Sequence, residues 1–211
     1  MATYKAIMDD VRIPLRDASK GRLDDTKLLS LLNRVVNIAY NHVAKIMPEL
    51  IWKNDTIALT TTTGYGPYNL PDDVLTICAI YDDQQQPKPL DRTSREKSQN
   101  TQLTAQPRKY WLEGFDPFKC YFESSPDQDR DYEIYYIPKI TRETDDTKTL
   151  PLPDFLFFDM LVELLVKFAG SVDEYITTDE DNFITIITSA VDGILLELKA
   201  PREISFEDYG L

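Results

Sequence analysis

The chain has 211 residues, 42% of them hydrophobic and 28% charged, with a formal net charge of −13. That length buries a proper core and suits one domain, or one domain built from two sub-layers, and the composition excludes wholesale disorder. The excess of carboxylates argues against nonspecific binding to a phosphate backbone, which needs Lys and Arg to displace counterions.

The acid is unevenly spread. Residues 141–211 hold five basic against sixteen acidic side chains, which leaves 18 against 20 in residues 1–140. The plain reading of such a segment is a solvated surface.

In chain order, residues 4–15 predict a short helix, with Ile7, Val11 and Leu15 spaced by four and Pro14 ending or bending it. Residues 25–47 predict a long one. There Leu28, Leu31, Leu32, Val35, Ala39, Val43 and Ile46 follow helical spacing, Asp24 or Asp25 caps the start, and Pro48 stops it.

The period then changes from 3.6 to 2. Strands are expected over 56–63, 74–81, 110–113, 118–123 and 131–137, with Gly114-Phe115-Asp116-Pro117 as a hairpin turn. In the fourth of these, Phe118, Cys120 and Phe122 face one way and Lys119, Tyr121 and Glu123 the other, giving a small antiparallel sheet with one wet face. A polar segment, 84–106, interrupts the region with few apolar anchors. It reads as a long loop, either mobile or a contact surface, with room for a short helix near 93–98.

Helices return after Leu150. Pro153 suits a first helical position, and Asp159, Glu163 and Lys167 form one polar stripe on an otherwise apolar helix, buried in the core or partly against another subunit. A last helix starts near Thr177 or Thr178, where Glu180 or Asp181 completes a capping box, and carries a stripe of Phe183, Ile187, Ala190, Ile194 and Leu198. Pro201 ends it. In the tail REISFEDYGL, Ile204, Phe206, Tyr209 and Leu211 are candidate partner-binding residues, able to anchor an extended arm by strand addition or pocket filling. The same tail read as an ordinary terminus docks on its own domain or stays loose.

The expected fold class is therefore α+β: a helical bundle with an inserted small antiparallel β domain. The expected segments are 1–52 (N-terminal helices), 53–140 (β domain with polar loop 84–106), 141–199 (C-terminal helices) and 200–211 (C-terminal arm).

Chemistry is harder to find. A single histidine, His42, leaves a two-His metal site or a Ser/His/Asp arrangement with little to work with, and a lone helical His is ordinarily packed or solvated. No Cys-x-x-Cys, Walker loop, GxGxxG or GxSxG occurs. The acidic pairs, such as Asp72-Asp73 and Asp82-Asp83, sit where caps and turns favour Asp. No enzyme activity, catalytic residue, metal or cofactor is expected. Cys78 and Cys120 lie far apart in strand-like contexts and are expected to be buried free thiols.

The run TTTTGYG at 60–66 looks like a potassium-channel filter, but a filter needs membrane helices around it. The greasiest segment, 153–170, is broken by Asp159, Glu163 and Lys167, so no membrane span is expected, and the N-terminus shows no basic region leading into an apolar run, so neither is a secretory signal. Gly64 and Gly66 instead permit a turn at the end of a strand.

Several weak motifs recur in a telling order: Tyr68-Asn69-Leu70-Pro71-Asp72-Asp73, Pro89-Leu90, Pro107-Arg108-Lys109-Tyr110, Tyr135-Tyr136-Ile137-Pro138, and Leu150-Pro151-Leu152-Pro153 entering two helices. From about Arg22 to Leu198 this order resembles the head-to-tail adaptor proteins of tailed bacteriophages. TTTGYG and the segment 84–106 are departures from the family pattern. The resemblance implies a structural virion protein at the head–tail interface, synthesised in the bacterial cytoplasm. It also implies a ring, usually of twelve copies, beneath the portal protein, contacts to tail or nozzle proteins, and a tunnel through which genomic DNA leaves. The competing readings are an acidic DNA mimic that inhibits a host protein, or another neck component such as a stopper or nozzle subunit.

Overall fold

A computed structural model describes residues 2–17, 23–82, 88–95, 104–114, 118–172 and 180–199. The chain divides into two compact units, one made of Met1–Leu50 with Thr141–Leu211 and the other of Ile51–Ile140.

The first unit is helical. Helix α1 (Tyr4–Leu15) starts at Thr3, whose hydroxyl accepts the Ala6 N–H at 3.2 Å, and tolerates Pro14 in its last turn. It ends on Arg16 in the left-handed conformation (φ 52°). Helix α2 (Asp25–Ile46) is capped by Asp24, which accepts the Lys27 N–H at 2.7 Å. Such a cap is worth about 1 kcal/mol. Met47 closes α2 by bonding back to Val43, and Pro48 opens a single 3-10 turn. The buried stripe of α2 runs through Leu28, Leu32, Val35, Val36, Ala39, Tyr40 and Val43, while Ile46, expected inside, is exposed.

Helix α3 (Asp154–Val172) buries Phe157, Leu161, Leu164, Leu165 and Phe168 and exposes Asp159, Glu163 and Lys167, as the spacing predicts. Pro153 stands one residue outside it: its carbonyl accepts the Leu156 and Phe157 N–H groups, so it serves as the capping residue and not the first helical one. Helix α4 (Glu180–Lys199) corrects the sequence reading more substantially. Its buried stripe is Phe183, Ile187, Val191 and Leu195; Ala190 and Ile194 are half-buried and Leu198 is exposed. The expected cap at Thr177 or Thr178 lies outside the described residues. Helix α2 packs against the other three helices, and α3 packs against α1 and α4.

Among the described residues the second unit holds seven strands in two sheets. β1 (Lys53–Leu59), β7 (Arg130–Pro138) and β3 (Val74–Asp82) form one sheet in the order β1-β7-β3, antiparallel throughout. β2 (Tyr68–Asn69), β6 (Lys119–Phe122), β5 (Lys109–Glu113) and β4 (Asp91–Arg92) form the other in the order β2-β6-β5-β4. The β4–β5 ladder is parallel, as is the isolated Thr104–Ser125 bridge, so the expectation of an antiparallel β domain fails at those two pairings. Leu59, Ile80, Tyr132 and Ile134 of the first sheet and Tyr110, Cys120 and Phe122 of the second share one core. The Phe122 ring joins the sheets, 5.4 Å from Tyr132 and 5.5 Å from Tyr68 by centroid. Each side chain of this size contributes about 1.5–3 kcal/mol on burial.

Two register shifts in β3 fall at Leu75 and Cys78. Each extra residue breaks the period of two, so Val74, Ile77 and Ile80 point inward at a spacing of three while Leu75 and Cys78 are exposed. Cys78 is therefore not the buried thiol that the strand context suggested; Cys120 is, and neither is in a disulfide.

β1 also begins and ends three or more residues earlier than expected, because Thr61–Tyr65 forms a turn. That loop is tightly built. Tyr68 Oη donates to the Gly64 carbonyl at 2.7 Å, the Thr60 hydroxyl lies 2.9 Å from that of Thr63, and the Asp129 carboxylate accepts the Thr61 N–H at 2.8 Å. Gly64 (φ +66°) and Gly66 (φ +127°) take the conformations that the sequence assigned to them.

Candidate interaction surfaces

In the helical unit the segment 142–149 is stitched to the N-terminal helices. Asn33 is buried on α2; its side-chain N–H groups reach the Leu29 and Glu143 carbonyls at 2.9 Å, and its oxygen accepts the Glu143 N–H at 2.9 Å. Arg142 donates to the Ser30 hydroxyl at 2.6 Å, and Thr3 bridges Thr149. A groove of about 530 Å³ lies alongside, lined by Met8, Leu29, Asn33, Arg142, Glu143 and Asp145 among others. Arg12 closes the turn between α1 and α2 from within, 3.0 Å from the Asp17 carboxylate and 2.8 Å from that of Asp25.

His42 is held and not merely solvated: its Nε2 lies 2.8 Å from Asp192 Oδ1 on α4. Phe155, 82% exposed on α3, and Leu196, 67% exposed on α4, are the largest apolar protrusions of these two helices. Exposed carboxylates stand on the same helices at Asp159, Glu163, Asp181 and Glu197.

In the β unit the outer face of the three-stranded sheet carries an aromatic row. Trp52 lies 5.2 Å from Tyr135 and Tyr135 lies 5.6 Å from Tyr81, with the Tyr135 hydroxyl donating to Glu133. The sequence reading missed this row, although Tyr135 sits out of phase with the core residues Ile134 and Tyr136 and so signalled an outward ring. At one end of the sheets Asp82, nearly fully buried, receives Gln106 Nε2 at 2.5 Å and lies 3.5 Å from Arg130 Nη1. The described parts of the polar segment are thereby fastened down. Leu90 donates its N–H to Ile80, Asp91 to Arg108 and Thr93 to Tyr110, so β4 stands where a loop was expected.

Among the described residues no group of three or more His, Cys, Asp or Glu is placed to hold a metal ion, and no helix is long and apolar enough to cross a membrane. The four residues singled out for partner binding, Ile204, Phe206, Tyr209 and Leu211, lie outside the described residues.

The helix–β–helix order, with the β unit inserted between α2 and α3, is the arrangement that the motif order implied. The model of the SU10 adaptor protein family matches residues 2–194. The chain belongs to that family. The match runs through both units and stops five residues before the end of α4. The family resemblance read from the motifs is thus shown, and the adaptor is a structural protein of a phage. No curated protein matches the chain.

Proposed function

We propose that this SU10-family adaptor is a head-to-tail adaptor that assembles as a ring, usually of twelve copies, beneath the portal. In that place it joins capsid to tail, meets tail or nozzle proteins below, and encloses part of the tunnel through which genomic DNA leaves. The family match over residues 2–194 carries this reading. The charge supports the tunnel role. A conduit has to let a long duplex pass, and each Lys or Arg lining it would add a phosphate contact that holds the DNA. Carboxylates on the wall keep it sliding, and the C-terminal helices carry exposed ones at Asp159, Glu163, Asp181 and Glu197.

A cryo-EM reconstruction of the ring tests the tunnel directly. The expected wall is dominated by carboxylates from residues 141–211; a wall lined mainly by Lys and Arg contradicts the reading. The tail residues Ile204, Phe206, Tyr209 and Leu211 are the proposed anchors on the portal or on a neighbouring adaptor.

A further inference from the structure

We infer that the C-terminal tail of one copy adds as a strand to the free edge of β1 in the next copy. The inference rests on the ring reading for the proximity of copies, and it selects the neighbouring adaptor as the partner of the tail. Strand β1 spans seven residues and, among the described residues, is paired on one side only, to β7. Lys53, Asn54, Asp55, Thr56 and Ala58 are all exposed. An edge of this length is a template for another chain, and proteins usually protect it with charged side chains, proline, a bulge or a covering segment. β1 has no proline, its register to β7 is unbroken, and its charged residues are Lys53 and Asp55. The Thr56 N–H is engaged by the carboxylate of its own neighbour, Asp55, at 2.8 Å.

The other described edges do not offer the same opening. Beside β3, Leu90 donates its N–H to Ile80 and Pro89 bridges Tyr81; β2 and β4 are two residues long.

The occupant is the segment that follows Lys199. Its twelve residues reach about 40 Å when extended, of which a seven-residue strand takes about 24 Å. Residues 203–209, Glu-Ile-Ser-Phe-Glu-Asp-Tyr, alternate Ile204 and Phe206 against Ser205 and Glu207, which is strand and not helix periodicity. Main-chain bonds supply affinity in such an addition and the alternate side chains fix register. Tail and edge are different surfaces, so each copy both donates and accepts, the head-to-tail geometry that closes into a ring.

A disulfide scan in the full chain tests the contact. In a Cys78→Ser background, copies carrying one cysteine at Asn54, Thr56 or Ala58 are mixed with copies carrying one at Ile204, Ser205, Phe206 or Glu207, with Asn69→Cys on β2 as the control acceptor. The expected result is crosslinking between copies that alternates along the donor positions 204–207 and drops about tenfold when Phe206→Asp is added to a Ser205 donor, a loss of roughly 1.4 kcal/mol. Yields no higher than the Asn69 control overturn the inference. So does crosslinking confined to single chains when both cysteines are placed in one copy. Native mass of the unmodified chain separates the two readings. A ring without β1 crosslinks defeats the strand addition alone, whereas absence of a ring defeats the reading on which it rests.

Discussion

Gly66 is the residue on which the shape of the Thr60–Gly66 loop depends most directly. Its φ of +127° is unfavourable for any L side chain, and a Cβ there would lie 2.9 Å from the Cys120 carbonyl of β6, a backbone atom that cannot step aside. Gly66→Ala is therefore expected to cost about 1–3 kcal/mol. Thermal unfolding should show a fall in midpoint of several degrees, against almost no change for Gly193→Ala, where a Cβ meets nothing within 4 Å. The sequence made both glycines of this loop legible, because a GYG run after a threonine-rich strand has few other uses. Which atom they approach was not legible, since Cys120 is more than fifty residues away.

Protonation gives a second expectation at the same scale. Burial pushes the Cys120 thiol up to about 12; burial and, after it, the Asp73 carboxylate push the Tyr136 hydroxyl to about 12; burial and then Glu143 do the same for Tyr4. The folded chain thus holds these protons more tightly than the unfolded one. Their contribution is fully present below the ordinary thiol and phenol values of about 8.5 and 10 and is lost as pH rises toward 12. Urea midpoints should fall steadily across that alkaline window. Asp73 acts in the opposite direction. Burial raises its carboxyl, but hydrogen bonds from Lys53 and Tyr136 outweigh that and hold it below the usual range, so its contribution disappears as pH falls below about 4.

The elements show where periodicity suffices and where it does not. For α2 one stripe of apolar residues is flanked by polar ones, and the buried face follows from spacing almost throughout. Helix α4 is apolar around more of its circumference, with Ile184, Ile186, Ile187, Val191, Ile194, Leu195, Leu196 and Leu198 all available. Two stripes then fit the helical period, and tertiary packing selects the one through Val191 and Leu195. Ile187→Ala should cost about 2–5 kcal/mol, while Leu198→Ser stays within about 0.5 kcal/mol in the isolated chain. Comparable losses for both would reinstate the stripe through Leu198. β3 misled for a different reason: an apolar run gives no warning of bulges, and two of them turned alternation into a spacing of three. The parallel β4–β5 pairing escaped because β4, two residues long, leaves no periodic trace.

At the scale of the whole molecule, the sequence disclosed the α+β class through its change of period and the family through the order of several unspecific motifs. Neither depended on a catalytic box. The candidate surfaces were less legible, because the aromatic row of Trp52, Tyr135 and Tyr81 and the groove beside Asn33 are assembled from distant segments by strand register and helix packing. The potassium-filter likeness dissolves at this scale as well: the GYG run closes a loop over β6, tied by the Phe122 N–H to the Tyr65 carbonyl at 2.8 Å. The central claim is that copies of this chain form a closed ring on a portal. Native mass spectrometry of the chain, alone and mixed with the portal protein of the same phage, measures it most directly. The account predicts a portal-bound assembly heavier than the portal alone by about twelve copies of the 24.3 kDa chain. A chain that stays monomeric or dimeric in the presence of portal would contradict it.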